Sequence, residues 1–292
     1  MLGRLTVLCF AGTYGLALLG ELARFAVRGA ARWYATVGLT ALAWVVQTVY
    51  LANLAATSGR MPISTVFESL MVLSWIFAAI GLYLMVQSPK LAVGPFVLPI
   101  VLALTSVAAL APRRSDWGNA WTGATVFWGS VHGLFLLAGA VCTCVAFAAG
   151  LMYLAQASRL KTKRPPRFGF TLPSLEQSER LNRGSIVLAF PLLTFGLLIG
   201  LILTVTAHAA SPERAPLSWT DPKVISALAM WLVFAVLLHA RFRPAMRGRG
   251  VVVLTIIAFA FLVFTWVGVE LLRLPTAHGV ARSADAQAGR PR

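Results

Sequence analysis

The sequence predicts an all-α integral membrane protein, a bundle of eight transmembrane helices with the N-terminus and C-terminus on the external side. Three observations lead there. Of 292 residues, 59% are hydrophobic and only 12% are charged, well outside the balance of a soluble domain. The apolar residues gather into runs of about twenty, the length that crosses a hydrocarbon layer ~30 Å thick. The Lys and Arg residues gather between those runs, more on one side than the other. The net charge of +16 therefore reads as a topology signal in a lipid bilayer, and no nucleic acid partner is expected.

The first run, 4–24, follows Arg4 and precedes Arg24, Arg28 and Arg32. It has no small-residue cleavage site, so a retained span is expected rather than a signal peptide. The second covers 33–55. The third, 66–86, opens with MPISTVFESLMVLSW, where Thr65 and Glu68 have capping-box spacing. Glu68 most simply satisfies the start of that helix. The fourth covers 92–111. The loop after it is rich in tryptophan. Trp117 and Trp121 read as interfacial anchors, whereas Trp128 lies one helical turn before His132 and is placed to line whatever that histidine binds.

The fifth run, 126–156, leads into a long basic loop, RLKTKRPPRFGFTLPSLEQSERLNRG. Such a loop meets anionic lipid headgroups or, less often, a partner protein. A short helix capped by Ser174, with Gln177 three residues on, is expected inside it. The sixth run, 185–207, contains Pro191, Gly196 and Gly200; the glycines allow close helix approach and the proline a bend. The seventh, 222–241, starts at Asp221 as N-cap and Pro222 at the first helical position. From Lys223 to His239 it rises roughly 24 Å. The eighth, 250–273, ends on Glu270 and Arg273, three apart and suited to a local ion pair.

Loops 1–2, 3–4, 5–6 and 7–8 hold most of the 25 Lys and Arg residues, so that side is cytoplasmic. Residues 1–275 form the membrane domain and 276–292 an external tail. His132, His208 and His278 are then external, and His239 lies near the inner end of the seventh span.

The chemistry open to this chain is narrow. It has four histidines and three cysteines, with no zinc-ligand spacing. Cys142 and Cys144 are two apart on a helix and point to different sides. There is no CxxCH motif, so the chain is not itself a c-type cytochrome. It has no nucleophile elbow, phosphate loop or dinucleotide fingerprint, and no pair of carboxylates within a span. Two readings of His132 and His278 stay open. They are interfacial side chains wetted by headgroups, or they are axial ligands that hold a haem iron from opposite sides. Trp128 and Trp219 are the aromatic surfaces available to a porphyrin ring. His208 reads as a loop residue. His239, followed by Arg241, is either a snorkelling side chain or an inner ligand.

Several ordered segments resemble the cytochrome c assembly membrane proteins of the CcsA type, with CcmC and HemX-like relatives. MPISTVFESLMVLSW resembles the family's third span, and VHGLFLLAGAV its first external haem-ligand segment. SWTDPKVISALAMWLVFAVLLHAR is similar to the core motif and following helix, and VGVELLRLPTAHG to the second external ligand segment. The resemblance implies that His132 and His278 are external haem ligands and His239 a transmembrane one. It implies a site near Trp219 and Asp221 for haem b, bound non-covalently and in transit. It also implies a CcsB/ResB-like membrane partner, apocytochrome c as acceptor, and a bacterial plasma membrane location. The chain is then the haem-handling subunit of cytochrome c biogenesis, as part of a haem lyase or synthetase, or else a non-catalytic HemX-like regulator of haem biosynthesis. The family's tryptophan-rich loop has the form WGxxWxWDPKE. Here Ser218 to Lys223 keep only SWTDPK, and Val224 stands where the glutamate would be; HemX-like members have a similarly thinned motif.

Overall fold

A computed structural model describes residues 2–25, 30–59, 61–111, 124–163, 171–210, 222–242 and 248–268. They form eight α-helices: α1 (Leu2–Leu22), α2 (Ala30–Ser58), α3 (Val66–Gln87), α4 (Gly94–Leu110), α5 (Ala124–Lys161), α6 (Leu175–Ala210), α7 (Pro222–Phe242) and α8 (Arg249–Val263). A single 3-10 turn, Ala23–Phe25, extends α1, and a π-helical turn, Phe264–Gly268, extends α8. Over its described residues each expected run falls on one helix or on a helix with its terminal turn. Five helical segments are long and apolar enough to cross a bilayer, on α2, α3, α5, α6 and α8 with its π turn. Val7–Leu22, Gly94–Leu110 and Val224–Ala240 are shorter apolar stretches. Large apolar side chains such as Leu16, Leu19, Val49, Ile202, Leu232 and Val236 stand exposed on the outer faces. Such a surface suits contact with lipid or with a partner protein.

The capping box expected at the third span is present. The Thr65 hydroxyl accepts from the Glu68 backbone N–H at 3.0 Å, and the Glu68 carboxylate accepts from the N–H groups of Ser64 and Thr65 at 2.8 and 3.2 Å. Ser174 and Gln177 also cap each other, at 3.1 Å both ways. That cap does not open a separate short helix. It opens α6, which runs unbroken through the polar segment and the sixth span.

The first four helices pack around polar groups that satisfy one another. Gln47, fully buried, accepts from the Tyr14 hydroxyl at 2.9 Å and donates to the Met71 carbonyl at 3.1 Å and the Ser74 hydroxyl at 2.8 Å. In hydrocarbon each such group would cost several kcal/mol if left unpaired. Trp44 and Trp75 stack with ring centroids 5.7 Å apart. At the end of α1, Glu21 is buried between two guanidinium groups, Arg24 at 3.1 Å and Arg32 at 3.0 Å. The opening turn of α4 seats against it, since a Cβ on Gly94 would lie 2.8 Å from Glu21 Cγ.

The last four helices centre on α5 and α6, which run antiparallel in close contact. Phe147 of α5 stacks on Phe259 of α8 at 4.1 Å. Buried Asn182 of α6 donates to the Ala146 carbonyl of α5 at 2.7 Å. Between α3–α4 and α5–α8 lies a cavity of about 340 Å³, lined by apolar side chains including Pro99, Phe147, Phe259 and Trp266, with Cys144 on its wall. At one edge a bridge joins the two halves: the Ala92 N–H donates to the Thr171 carbonyl at 2.8 Å, and the Thr171 hydroxyl donates to the Lys90 carbonyl.

Candidate functional site

His132 sits near the start of α5, where the helix meets the C-terminal half of α6. Its Nδ1 lies 2.7 Å from the Gly196 carbonyl oxygen. A carbonyl only accepts, so Nδ1 carries the proton, and in the neutral ring the lone pair is on Nε2. Nε2 makes no hydrogen bond among the described residues. The imidazole lies against the backbone of α6 because Gly200 has no side chain. A Cβ there would come within 2.6 Å of the ring Cε1 and 2.9 Å of Nδ1. The result is an anchored, half-buried imidazole with one basic nitrogen left over, suited to ligation.

Trp128 is 49% exposed, with its ring edge-on to Phe127 at 5.5 Å. It lies one turn before His132 on α5 and makes no ring contact with another helix among the described residues. His208 is half-buried in the last turn of α6. His239 is exposed in the last turn of α7. Trp231 of α7 fixes the level of that helix, since its Nε1 donates to the Thr194 hydroxyl of α6 at 3.0 Å and its ring meets Phe190 at 5.7 Å. With α7 antiparallel to α6, His239 lies roughly 12 Å beyond Trp231, away from Gly196 and Gly200, at 1.5 Å per residue. His132 and His239 therefore occupy different layers and cannot share an iron.

His278, Trp219 and Asp221 lie outside the described residues, as do Trp117, Trp121, Glu270 and Arg273. Pro222 is the first residue of α7, the position expected for it. The cysteines are free, Cys9 exposed, Cys142 half-buried and Cys144 buried. Among the described residues no three His, Cys, Asp or Glu side chains gather as a metal cluster.

Two features went unread in the sequence. One is the carbonyl of Gly196 as partner of His132. Its signal is present as matched four-residue spacings, His132 and Leu136 on α5 against Gly196 and Gly200 on α6. The other is the enclosure of Glu21 by Arg24 and Arg32, where the arginines had been read only as topology signals.

A family model described as "Cytochrome C assembly protein" matches residues 63–275. "Cytochrome c biogenesis protein CcsA" of Guillardia theta is 28% identical over 257 residues, covering 82% of this chain and 83% of that protein. The protein of the same name from Thermosynechococcus vestitus is 29% identical over 251 residues, covering 73% and 77%. The one from Prochlorococcus marinus is 31% identical over 248 residues, covering 74% and 75%. No solved structure matches the chain. The matched stretch runs from the cap of α3 past the end of α8 and includes His132, Gly196 and His239, and on that extent the chain belongs to the cytochrome c assembly protein family.

Proposed function

We propose that this chain is the haem-handling subunit of cytochrome c biogenesis, moving haem through the membrane and presenting it at the outer face. In this reading residues 1–275 are an eight-span bundle in a bacterial plasma membrane, with both termini and the 276–292 tail external. Haem b is cargo, held non-covalently. It passes His239 near the inner face. It is then held at the outer face between His132 and His278, against Trp128, Trp219 and the Asp221 turn. A CcsB/ResB-like partner brings apocytochrome c. Each cysteine S–H of the acceptor adds across a haem vinyl group; sulfur bonds to one carbon, hydrogen to the other, and no oxidant is consumed.

The observation that carries this reading is the state of His132. Its Nδ1–H is tied to a backbone carbonyl at 2.7 Å, the arrangement metal-ligating histidines use to fix ring and tautomer. The separate level of His239 supports two successive haem positions. The relatives named above are all CcsA proteins, which favours assembly over the HemX-like regulatory reading. The test is haem stoichiometry by pyridine haemochrome on protein purified from a haem-sufficient host with its partner co-expressed. Near-stoichiometric haem with a six-coordinate spectrum is expected; colourless protein sinks the proposal.

A further inference from the structure

We propose that Gly196 and Gly200 of α6 are positioning residues for His132, and that α6 thereby decides which imidazole nitrogen is offered to a ligand. Its purpose rests on the haem-handling reading above; the geometry does not. Three contacts set the register of α5 on α6. The His132 ring lies on Gly200, Leu136 lies on Gly196, and Gly139 receives Leu193. In each case a Cβ on the glycine would come within 2.6–2.7 Å of the facing side chain. Helices locked this way cannot slide by even part of a turn without a clash, because interiors hold no slack at the scale of a methyl group. The lock holds the imidazole level with the Gly196 carbonyl.

Each glycine has its own task. Gly200 clears the space that the Cε1–Nδ1 edge of the ring occupies beside α6. Gly196 lets α5 approach closely enough for its carbonyl to reach Nδ1 at 2.7 Å. In a regular helix that carbonyl also faces the N–H four residues on, which is Gly200, so it receives two donors. A carbonyl accommodates this with its two lone pairs. The partner of the imidazole is thus a neutral dipole with no proton to exchange. It orders the ring without pulling its proton away, and Nε2 is the nitrogen presented at every moment. A carboxylate in the same place would give a more electron-rich ligand.

The test uses full-length protein in detergent micelles, with histidine labelled with ¹⁵N in the ring and produced without haem. The His132 signals are identified by their loss in His132→Ala. A protonated Nδ1 and an unprotonated Nε2 are expected for the wild type; the opposite tautomer overturns the proposal, whatever the haem content. Gly200→Ala is expected to abolish that tautomer preference and to lower haem per folded molecule at least about tenfold, with Gly150→Ala as the control. A Cβ there would meet Val252 of α8 at 3.1 Å and Asn182 of α6 at 3.6 Å, roughly 27 Å along α5 from the imidazole, and this variant should keep both the tautomer and the haem. Equal haem loss in the two variants reduces the effect to general packing and overturns the positioning role. A wild type with the expected tautomer and no haem, partner present, leaves the positioning geometry standing and removes the haem-handling reading instead.

Discussion

The proton on a single nitrogen decides what His132 can do. With Nδ1 engaged by Gly196, the neutral ring has one group left to offer, the lone pair on Nε2. His132→Ala is expected to lower haem affinity by about ten- to a hundredfold, since each ~1.4 kcal/mol is tenfold. Haemochrome assay of folded protein measures it. His208→Ala, made in the last turn of α6, is expected to leave haem content unchanged; an equal loss means the wrong histidine has been chosen. Trp219→Ala should also weaken retention by about ten- to a hundredfold, because burying one indole face contributes a few kcal/mol and stacking adds ~0.5–1.5. The candidates themselves were legible because the chain has only four histidines and because tryptophans beside them are conspicuous next to the loops. The partner of His132 was not, because a backbone carbonyl has no letter in the sequence.

Helix starts were the most readable elements, since capping is local chemistry among residues three apart. Thr65 with Glu68, Ser174 with Gln177, and Pro222 all stand where their side chains dictate. Continuity was less readable. The stretch LEQSERLNRG reads as a short helix set apart from the sixth span because it is polar, yet it carries Gly184 only as a weak breaker, and α6 runs straight through it. Its polarity reports solvent, not conformation. At the standard rise α5 and α6 measure roughly 57 and 54 Å, well beyond a ~30 Å hydrocarbon layer. The C-terminal end of α5 and the N-terminal end of α6 therefore reach past such a layer, where the Arg180–Glu176 pair at 2.7 Å is exposed and contributes little. Ser174→Ala is expected to cost about 0.5–2 kcal/mol at that end. Hydrogen exchange would register it as fraying of the first turn of α6, with the spans still protected. The π turn at Phe264–Gly268 had no visible signal in the letters.

The molecule as a whole is two four-helix halves joined along an apolar cavity and one short backbone bridge. Periodicity and span length made the helices legible. Which helices touch was not, because in lipid every apolar face looks equally suited to bilayer or neighbour. Glu21 is the sharpest case. The sequence places one carboxylate beside several arginines at a loop, and only the fold shows it buried with two of them. Removing one partner of a buried ionic cluster strands the others, typically at ~3–5 kcal/mol. Glu21→Gln is therefore expected to lower the denaturation midpoint in detergent markedly, and the double change Glu21→Gln with Arg24→Gln to recover part of it. Orientation is tested separately. A reporter fused after residue 170 should lie in the cytoplasm and one after 285 outside; a C-terminal reporter inside removes a span and breaks the pairing of His132 with His278.

The seat of Glu21 against Gly94 also sets a timetable. The two residues are about seventy positions apart, and ribosomes add ~5–20 residues per second. Roughly four to fourteen seconds pass between their appearances. For that interval α1 already holds its carboxylate within the insertion machinery, and the α4 surface that will cover it has not been made. Arg24 and Arg32, its ion-pair partners, are synthesised within about two seconds of Glu21 at that rate. The first hairpin must therefore neutralise itself as it enters the membrane, and α4 docks later onto a charge already quenched. A bulky residue at position 94 would leave the hairpin's insertion untouched and stall the chain only at this later docking.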